Sequence, residues 1–262
     1  MQGKSTALNI YEADAPGISA ITAVGMLRET NSASVSRRPT PYLSAAVRRA
    51  FSWRYAVLKR TIDILLSSIL IVLLFPVMIA VALAVALTSP GPIFFSQERL
   101  GRFGAPFRIF KFRSMFTQKH KDNVFEINCP HRRTEADRRN EAAYPLNKDV
   151  PDPRITPVGR VIRKLSLDEL PQLFNVLRGD MSLVGPRPIV DAEVSLYGQQ
   201  FAYYDLFRPG ITGLWQVSGR SDVEFERRVL FDRDYASKWS CFLDFKILTQ
   251  TIPAVVTMRG AY

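Results

Sequence analysis

The run from Ile62 to Leu87 limits what this chain can become more than any other stretch. Apart from Asp63, Ser67, Ser68 and Pro76, every residue in it is apolar. A straight helix of that length covers roughly 39 Å at 1.5 Å per residue, enough to cross a hydrocarbon core of about 30 Å. Two features oppose a simple span. Pro76 sits mid-run, where it removes a backbone hydrogen bond and clashes with the carbonyl of Val72, so the helix should kink or break there. Both flanks are also basic: Arg48, Arg49, Arg54, Lys59 and Arg60 before the run, and Arg99, Arg102, Arg108, Lys111 and Arg113 after it. Positive charge marks the cytoplasmic side of a membrane, and here it marks both ends. A re-entrant hairpin satisfies both observations, with arms of about 20 Å that are too short to cross. Ser67 and Ser68 are placed to bond backbone groups loosened at the break. A transmembrane anchor carrying a soluble domain is the structural alternative.

The chain of 262 residues has a formal net charge of +11. That excess calls for an anionic partner: a membrane surface, a phosphorylated substrate or nucleic acid. No nucleic-acid motif is recognisable, so nucleic acid is not expected. Cys129 and Cys241 have no ligand spacing, and His120 and His131 lie in a charged, loop-like stretch. Zinc sites, disulfide frameworks and Ser-His-Asp or Cys-His chemistry are therefore disfavoured. No GxGxxG or GxxxxGK[ST] loop occurs, which removes Rossmann and P-loop chemistry.

Residues 1–47 show no sustained period and read as a disordered arm without a signal peptide. Residues 48–60 alternate arginine and lysine with Phe51, Trp53, Tyr55 and Leu58, the pattern of a basic interface helix. Residues 48–90 thus form the membrane element and 91–262 a cytoplasmic domain. Ser89-Pro90-Gly91-Pro92 is a firm stop. Ile93 to Phe95 and Phe107 to Met115 read as short strands. Residues 116–150 are a charged surface insertion. Residues 192–204, 222–239 and 242–258 read as helices, the last apolar enough to cap the core or lie on lipid. The fold class is mixed α/β, mainly helical: a re-entrant membrane hairpin with a small catalytic domain carrying amphipathic interface helices.

The stretch from Leu165 to Pro188 carries the chemistry. Asp168 and Glu169 are flanked by Arg163, Lys164, Arg178 and Arg187. A carboxylate among cations can stay ionised while it meets a phosphate. The bland reading is a capping box, Ser166-Leu-Asp-Glu169. Pro171 complicates it, because a proline suits a helix's first turn and not its interior. A helix from Pro171 to a Gly179 stop leaves both carboxylates just before its positive end. Arg187, held between Pro186 and Pro188, is a stiffly mounted fork suited to phosphate. Lys111 and Arg113 form a cationic strip, explained equally well by phosphate binding and by lipid headgroup contact.

These residues resemble the bacterial polyprenyl-phosphate sugar-1-phosphate transferases, the monotopic phosphoglycosyl transferases that begin exopolysaccharide assembly. The resemblance covers about Leu58 to Met258. It rests on Lys59-Arg60-Thr61-Ile62-Asp63, the run broken at Pro76, Ser89-Pro90-Gly91-Pro92, Gln97-Glu98-Arg99, Lys111-Phe112-Arg113-Ser114-Met115, Leu165 to Pro188, and Arg208-Pro209-Gly210-Ile211-Thr212-Gly213-Leu214-Trp215. The resemblance implies a hairpin in one leaflet of the bacterial inner membrane, with the active site on the cytoplasmic face. It places the family's catalytic Asp-Glu dyad on Asp168 and Glu169, its helix-breaking proline on Pro76, its functional arginine on Arg163 and its Pro-Arg-Pro motif on Pro186, Arg187 and Pro188. It implies a UDP-sugar donor, a polyprenyl phosphate acceptor and a covalent sugar phosphate on Asp168. Mg²⁺ is the implied metal, with Asp168 and Glu169 as its protein ligands. The short form of the family, without an N-terminal four-span domain, is expected. The identity of the sugar is open, as is the oligomeric state, monomer or homodimer. The competing reading is a non-enzymatic, basic lipid-binding scaffold with the carboxylates as helix caps.

Overall fold

A computed structural model describes residues 41–117, 152, 154–219 and 223–256. Helix α1, Pro41–Ala50, is followed by a π-helical turn, Arg54–Lys59, that runs directly into α2, Arg60–Thr88. Helix α1 begins inside the stretch expected to be a disordered arm, and the compact unit starts at Pro41. Its buried Ala46 and Ala50 explain why: they seat the helix on the core, and tertiary contact supplies the stability that composition did not signal.

Helix α2 is long and apolar enough to cross a membrane by length and composition, and only 17% of its most apolar window is buried. A soluble core helix would bury most of that surface. Instead Val72, Leu73 and Leu87 stand 77%, 69% and 84% exposed. Helical assignment continues through Pro76. The buried stripe nevertheless changes partner there. Leu70 and Ile71 pack on the main core, whereas Met78, Val81 and Val85 join Phe112 and Ile162 in a second cluster. Both ends of α2 are tied to the same body. Asp63 Oδ1 accepts from Ser182 Oγ (3.0 Å) and from the Leu183 N–H (3.1 Å). At the other end Arg113 holds the carbonyl of Ser89. Ser67 donates to the carbonyl of Asp63, one turn earlier in the same helix and not to the backbone next to Pro76.

Strands β1, Phe94–Leu100, and β2, Pro106–Phe112, form an antiparallel hairpin in which Phe95 faces Lys111 and Arg99 faces Phe107. Then come α3 (Pro157–Lys164), a 3₁₀ turn (Leu167–Glu169) and α4 (Gln172–Arg178). Strand β3, Ser182–Val184, pairs in parallel with β4, Gly210–Thr212. The connection between them holds α5 (Val194–Tyr197) and α6 (Phe201–Tyr204). The helix expected over 192–204 is therefore broken into short turns, with Gly198 at φ +51° in the middle. Helices α7 (Leu214–Val217), α8 (Phe225–Lys238) and α9 (Cys241–Val256) complete the described chain. The result is mainly helical with two small sheets.

The core gathers where α2 enters the domain. Tyr55, expected at a membrane interface, is 1% exposed. Its ring packs edge-on against Phe207 (4.9 Å) and Trp239 (5.0 Å), and its hydroxyl accepts from the Arg208 N–H. Lys59 is also buried, and its Nζ meets Asp244 Oδ2 at 2.7 Å. Asp244 accepts further bonds from Tyr235 and Trp239. A buried ion pair needs such additional donors to offset desolvation.

Candidate active site

The site grows from three adjacent pieces of chain. Helix α3 starts at Thr156, whose Oγ1 accepts from the Gly159 N–H (2.8 Å), with Pro157 in its first turn. It ends at Arg163 and Lys164. Ser166 then takes a left-handed backbone at φ +56° and turns the chain. Its side chain caps nothing, so the capping-box reading of Ser166 and Glu169 is not realised. Asp168 and Glu169 lie in the 3₁₀ turn that follows, and α4 begins after Pro171 and closes at Gly179. The proline decides this division, as the sequence suggested.

Helix α4 fixes the neighbouring strand. Asn175 is fully buried. Its Nδ2 donates to the Arg108 carbonyl (2.7 Å) and its Oδ1 accepts from the Phe110 N–H (3.1 Å). That clamp holds β2 in register beside the carboxylate turn, and Lys111 Nζ reaches Glu169 Oε1 at 2.6 Å. Both groups are partly exposed, so the pair remains open to a ligand. Ile109 and Lys111, alternate residues on one face of β2, reach the same cleft.

Asp168 is 9% exposed. Its carboxyl is pushed up to about 6, first by burial and then by the charge of Glu169, against the opposing pull of Lys111 and Arg163. A carboxylate in this condition is costly to keep ionised and gains when its charge is neutralised. The cleft beside it is lined by Lys111, Glu169, Arg99, Arg187, Gln172 and Gln216. Asp168 sits next to Glu169 and does not itself line that cleft.

Arg187, between Pro186 and Pro188, is exposed, and its guanidinium lies 5.6 Å from the Trp215 ring centroid. Arg228 approaches the same ring at 4.9 Å. The mounting of Arg187 depends on close backbone contact: a Cβ on Gly210 would stand 2.1 Å from the Gly185 nitrogen, and the Gly210 N–H donates to the Pro186 carbonyl. The Arg-Pro-Gly turn is thus the seat of the Pro-Arg-Pro segment.

Arg163 lies close enough to Asp168 to lower its pKa, while Lys111 and Arg187 reach the cleft. Arg113 has a different task from the phosphate contact expected of it. It is 4% exposed. Its Nη1 donates to Pro90 O (2.8 Å), and its Nη2 to Ser89 O (2.6 Å) and Ser89 Oγ (2.8 Å). It caps the C-terminal end of α2, satisfying carbonyls that a helix end leaves orphaned. Gly91, at φ +119°, makes room for it: a Cβ there would lie 2.3 Å from Nη1.

Arg99 was missed as a site residue although its motif was noticed. Its Nη1 donates to Pro188 O (3.2 Å), and its charge adds to that of Arg187. Period-two alternation across the hairpin puts it on the face of Lys111. Arg228 carried no such signal, since only tertiary packing brings α8 to Trp215.

No cluster of three or more His, Cys, Asp or Glu suited to a metal exists among the described residues. Asp168 and Glu169 supply the carboxylates of the turn itself, and Glu169 is already paired with Lys111. That sparse set fits Mg²⁺, which takes one or two protein carboxylates and fills its shell with phosphate oxygens and water.

A family model for bacterial sugar transferases matches residues 54–258. The chain is 44% identical over 206 residues to the exopolysaccharide production protein ExoY of Rhizobium meliloti, covering 78% of this chain and 88% of that protein. It is 41% identical over 212 residues to the UDP-glucose:undecaprenyl-phosphate glucose-1-phosphate transferase of Caulobacter vibrioides, covering 78% of this chain and 72% of that protein. It is 46% identical over 207 residues to the undecaprenyl-phosphate galactose phosphotransferase of Salmonella typhimurium, covering 78% of this chain but 42% of that protein.

Proposed function

The chain belongs to the bacterial sugar transferase family and is a transferase; from that premise we propose that it moves a hexose 1-phosphate from a UDP-sugar to polyprenyl phosphate through a covalent adduct on Asp168. The family match sets aside the scaffold reading. The observation that carries the proposal is the carboxyl of Asp168, raised to about 6 by burial and by Glu169 while Lys111 and Arg163 pull against that rise. It is largely ionised near neutral pH, and it is less stabilised by its surroundings than an ordinary carboxylate. Forming an acyl phosphate turns the buried carboxylate into a neutral ester and leaves the remaining negative charge on the phosphoryl oxygens, which cations can meet.

In the first half-reaction a carboxylate oxygen of Asp168 attacks the phosphorus next to the sugar. The bond from that phosphorus to the bridging oxygen breaks, and uridine monophosphate leaves. In the second, an oxygen of polyprenyl phosphate attacks the same phosphorus, which releases Asp168 and yields polyprenyl-diphospho-hexose. Arg187 and Arg99 hold phosphate oxygens at the cleft, and Lys111 pairs with Glu169 beside them. Asp168 and Glu169 would hold Mg²⁺, which supplies charge neutralisation on the diphosphate when bound.

The acceptor requires a membrane. Both ends of α2 engage the same body, its outer face is apolar, and basic residues flank both ends. Those three facts support a re-entrant element that dips into one leaflet near Pro76 and returns, with the domain on the cytoplasmic face of the inner membrane.

The test is a single-turnover assay with a UDP-hexose, Mg²⁺ and no lipid acceptor. A stoichiometric burst of uridine monophosphate and a hexose-phosphate mass on the peptide containing Asp168 are expected. Turnover only when lipid is present, with no labelled protein, would replace the covalent route by direct transfer.

A further inference from the structure

A second cavity, much larger than the catalytic cleft, holds about 720 Å³ where the segment before α2 meets the start of α9. Arg48, Arg49 and Arg54 line it with Leu58, Trp239 and Phe242, and among the described residues no carboxylate contributes to its wall. Arg49 Nε donates to the Trp239 carbonyl (3.1 Å), which fixes one guanidinium on the wall. Arg48 and Arg54 are exposed and form no ion pair among the described residues. The first turn of α9, capped by Ser240 Oγ on the Leu243 N–H, adds the positive end of a helix dipole. Beside these charges the surface turns apolar: Trp53, Phe242 and Phe245 are 66%, 76% and 63% exposed. Helix α2 begins at Arg60, two residues after Leu58. The cavity thus joins positive charge that no described carboxylate pairs with to an apolar surface at the foot of α2.

We propose that this cavity binds the phosphate of an anionic phospholipid headgroup, at a site separate from the cleft at Glu169, with the acyl chains running over Leu58 and Phe242. The inference rests on the reading of α2 as embedded in a leaflet. Charge selects the occupant. Three guanidiniums, with no carboxylate among the described residues of the wall, favour a phosphate. The chain's own segment at 30–40 is unsuited, because it carries Arg37 and Arg38 and no carboxylate. A basic site with aromatic neighbours at the headgroup level also orients the domain against the surface.

The experiment uses the full chain in nanodiscs of phosphatidylcholine mixed with phosphatidylglycerol. Native mass spectrometry then counts the lipids retained after release into detergent. The wild type should carry phosphatidylglycerol in preference to phosphatidylcholine. The double variant Arg48→Gln, Arg54→Gln should lose about tenfold of that preference, the worth of one charge-assisted hydrogen bond. Arg48→Lys, Arg54→Lys should keep most of it, which separates charge from misfolding. Excess inorganic phosphate should not displace the lipid, since it lacks the apolar half of the contact; full displacement overturns the lipid assignment. Equal retention by wild type and the glutamine variant overturns the site alone. A wild-type chain that fails to enter the discs overturns the embedded-helix reading, and this inference with it.

Discussion

Replacing Asp168 with asparagine should abolish transfer and make the protein more stable, and the second effect tests the electrostatic argument directly. Burial and Glu169 push the folded carboxyl up to about 6 from its ordinary 3.8, which corresponds to about 3 kcal/mol of strain when the group is ionised. Asparagine removes the charge but still buries an amide, so the expected gain is about 1–3 kcal/mol. For a domain of this size that raises the unfolding midpoint by about 2–10 °C. The sign with pH follows from linkage. The folded state binds the proton more tightly than the unfolded chain, so the penalty is full above pH 6 and fades as pH falls from 6 towards 3.8. Thermal unfolding of wild type and variant in the same nanodiscs, from about pH 8 down to about pH 4.5, should therefore show an advantage that shrinks with acidification. A variant less stable than wild type at pH 8, or a difference that does not change with pH, would show that Asp168 is not held in an unfavourable ionised state.

Lys111→Gln should leave the fold intact and move the acid limb of the donor half-reaction to higher pH, because removing that cation raises the Asp168 carboxyl further. Stopped assays of nucleotide release across pH read this out. Lys59→Met leaves the Asp244 carboxylate buried without its cation and should cost about 3–5 kcal/mol, with much of the loss recovered by adding Asp244→Asn. Arg113→Gln strips the bonds to Ser89 and Pro90 and should cost about 2–3 kcal/mol in denaturant titration, while nucleotide release per folded molecule stays unchanged. Asn175→Ala leaves the Phe110 N–H and the Arg108 carbonyl unpaired, at about 1–3 kcal/mol for each group, and should weaken donor use as Lys111 loses its register.

Several features are legible in the sequence alone. The composition of the Ile62–Leu87 run announced one long apolar helix, and the structure leaves most of that surface unburied. Pro171 located the division between the carboxylate turn and α4, because its ring dictates where a helix can begin. Alternation in Phe107 to Met115 gave strand β2. These are local effects, settled by residues within a turn or two of each other.

Other features depended on partners distant in sequence. Nothing local distinguishes Tyr55 from Trp53; one is buried against Phe207 and Trp239 while the other faces outward. Arg113 and Lys111 are alike in the sequence as cations on one strip. The structure sends one to the end of α2 and the other to Glu169. The sequence by itself determined the chemical inventory: a greasy helix, a carboxylate pair before a proline-led helix, and an arginine braced by prolines. Only the tertiary structure decided which charges meet. A charge's burial and pKa are set by groups that the chain brings together through space, and the carboxylate turn, β2 and the Pro-Arg-Pro segment converge only once the core has packed.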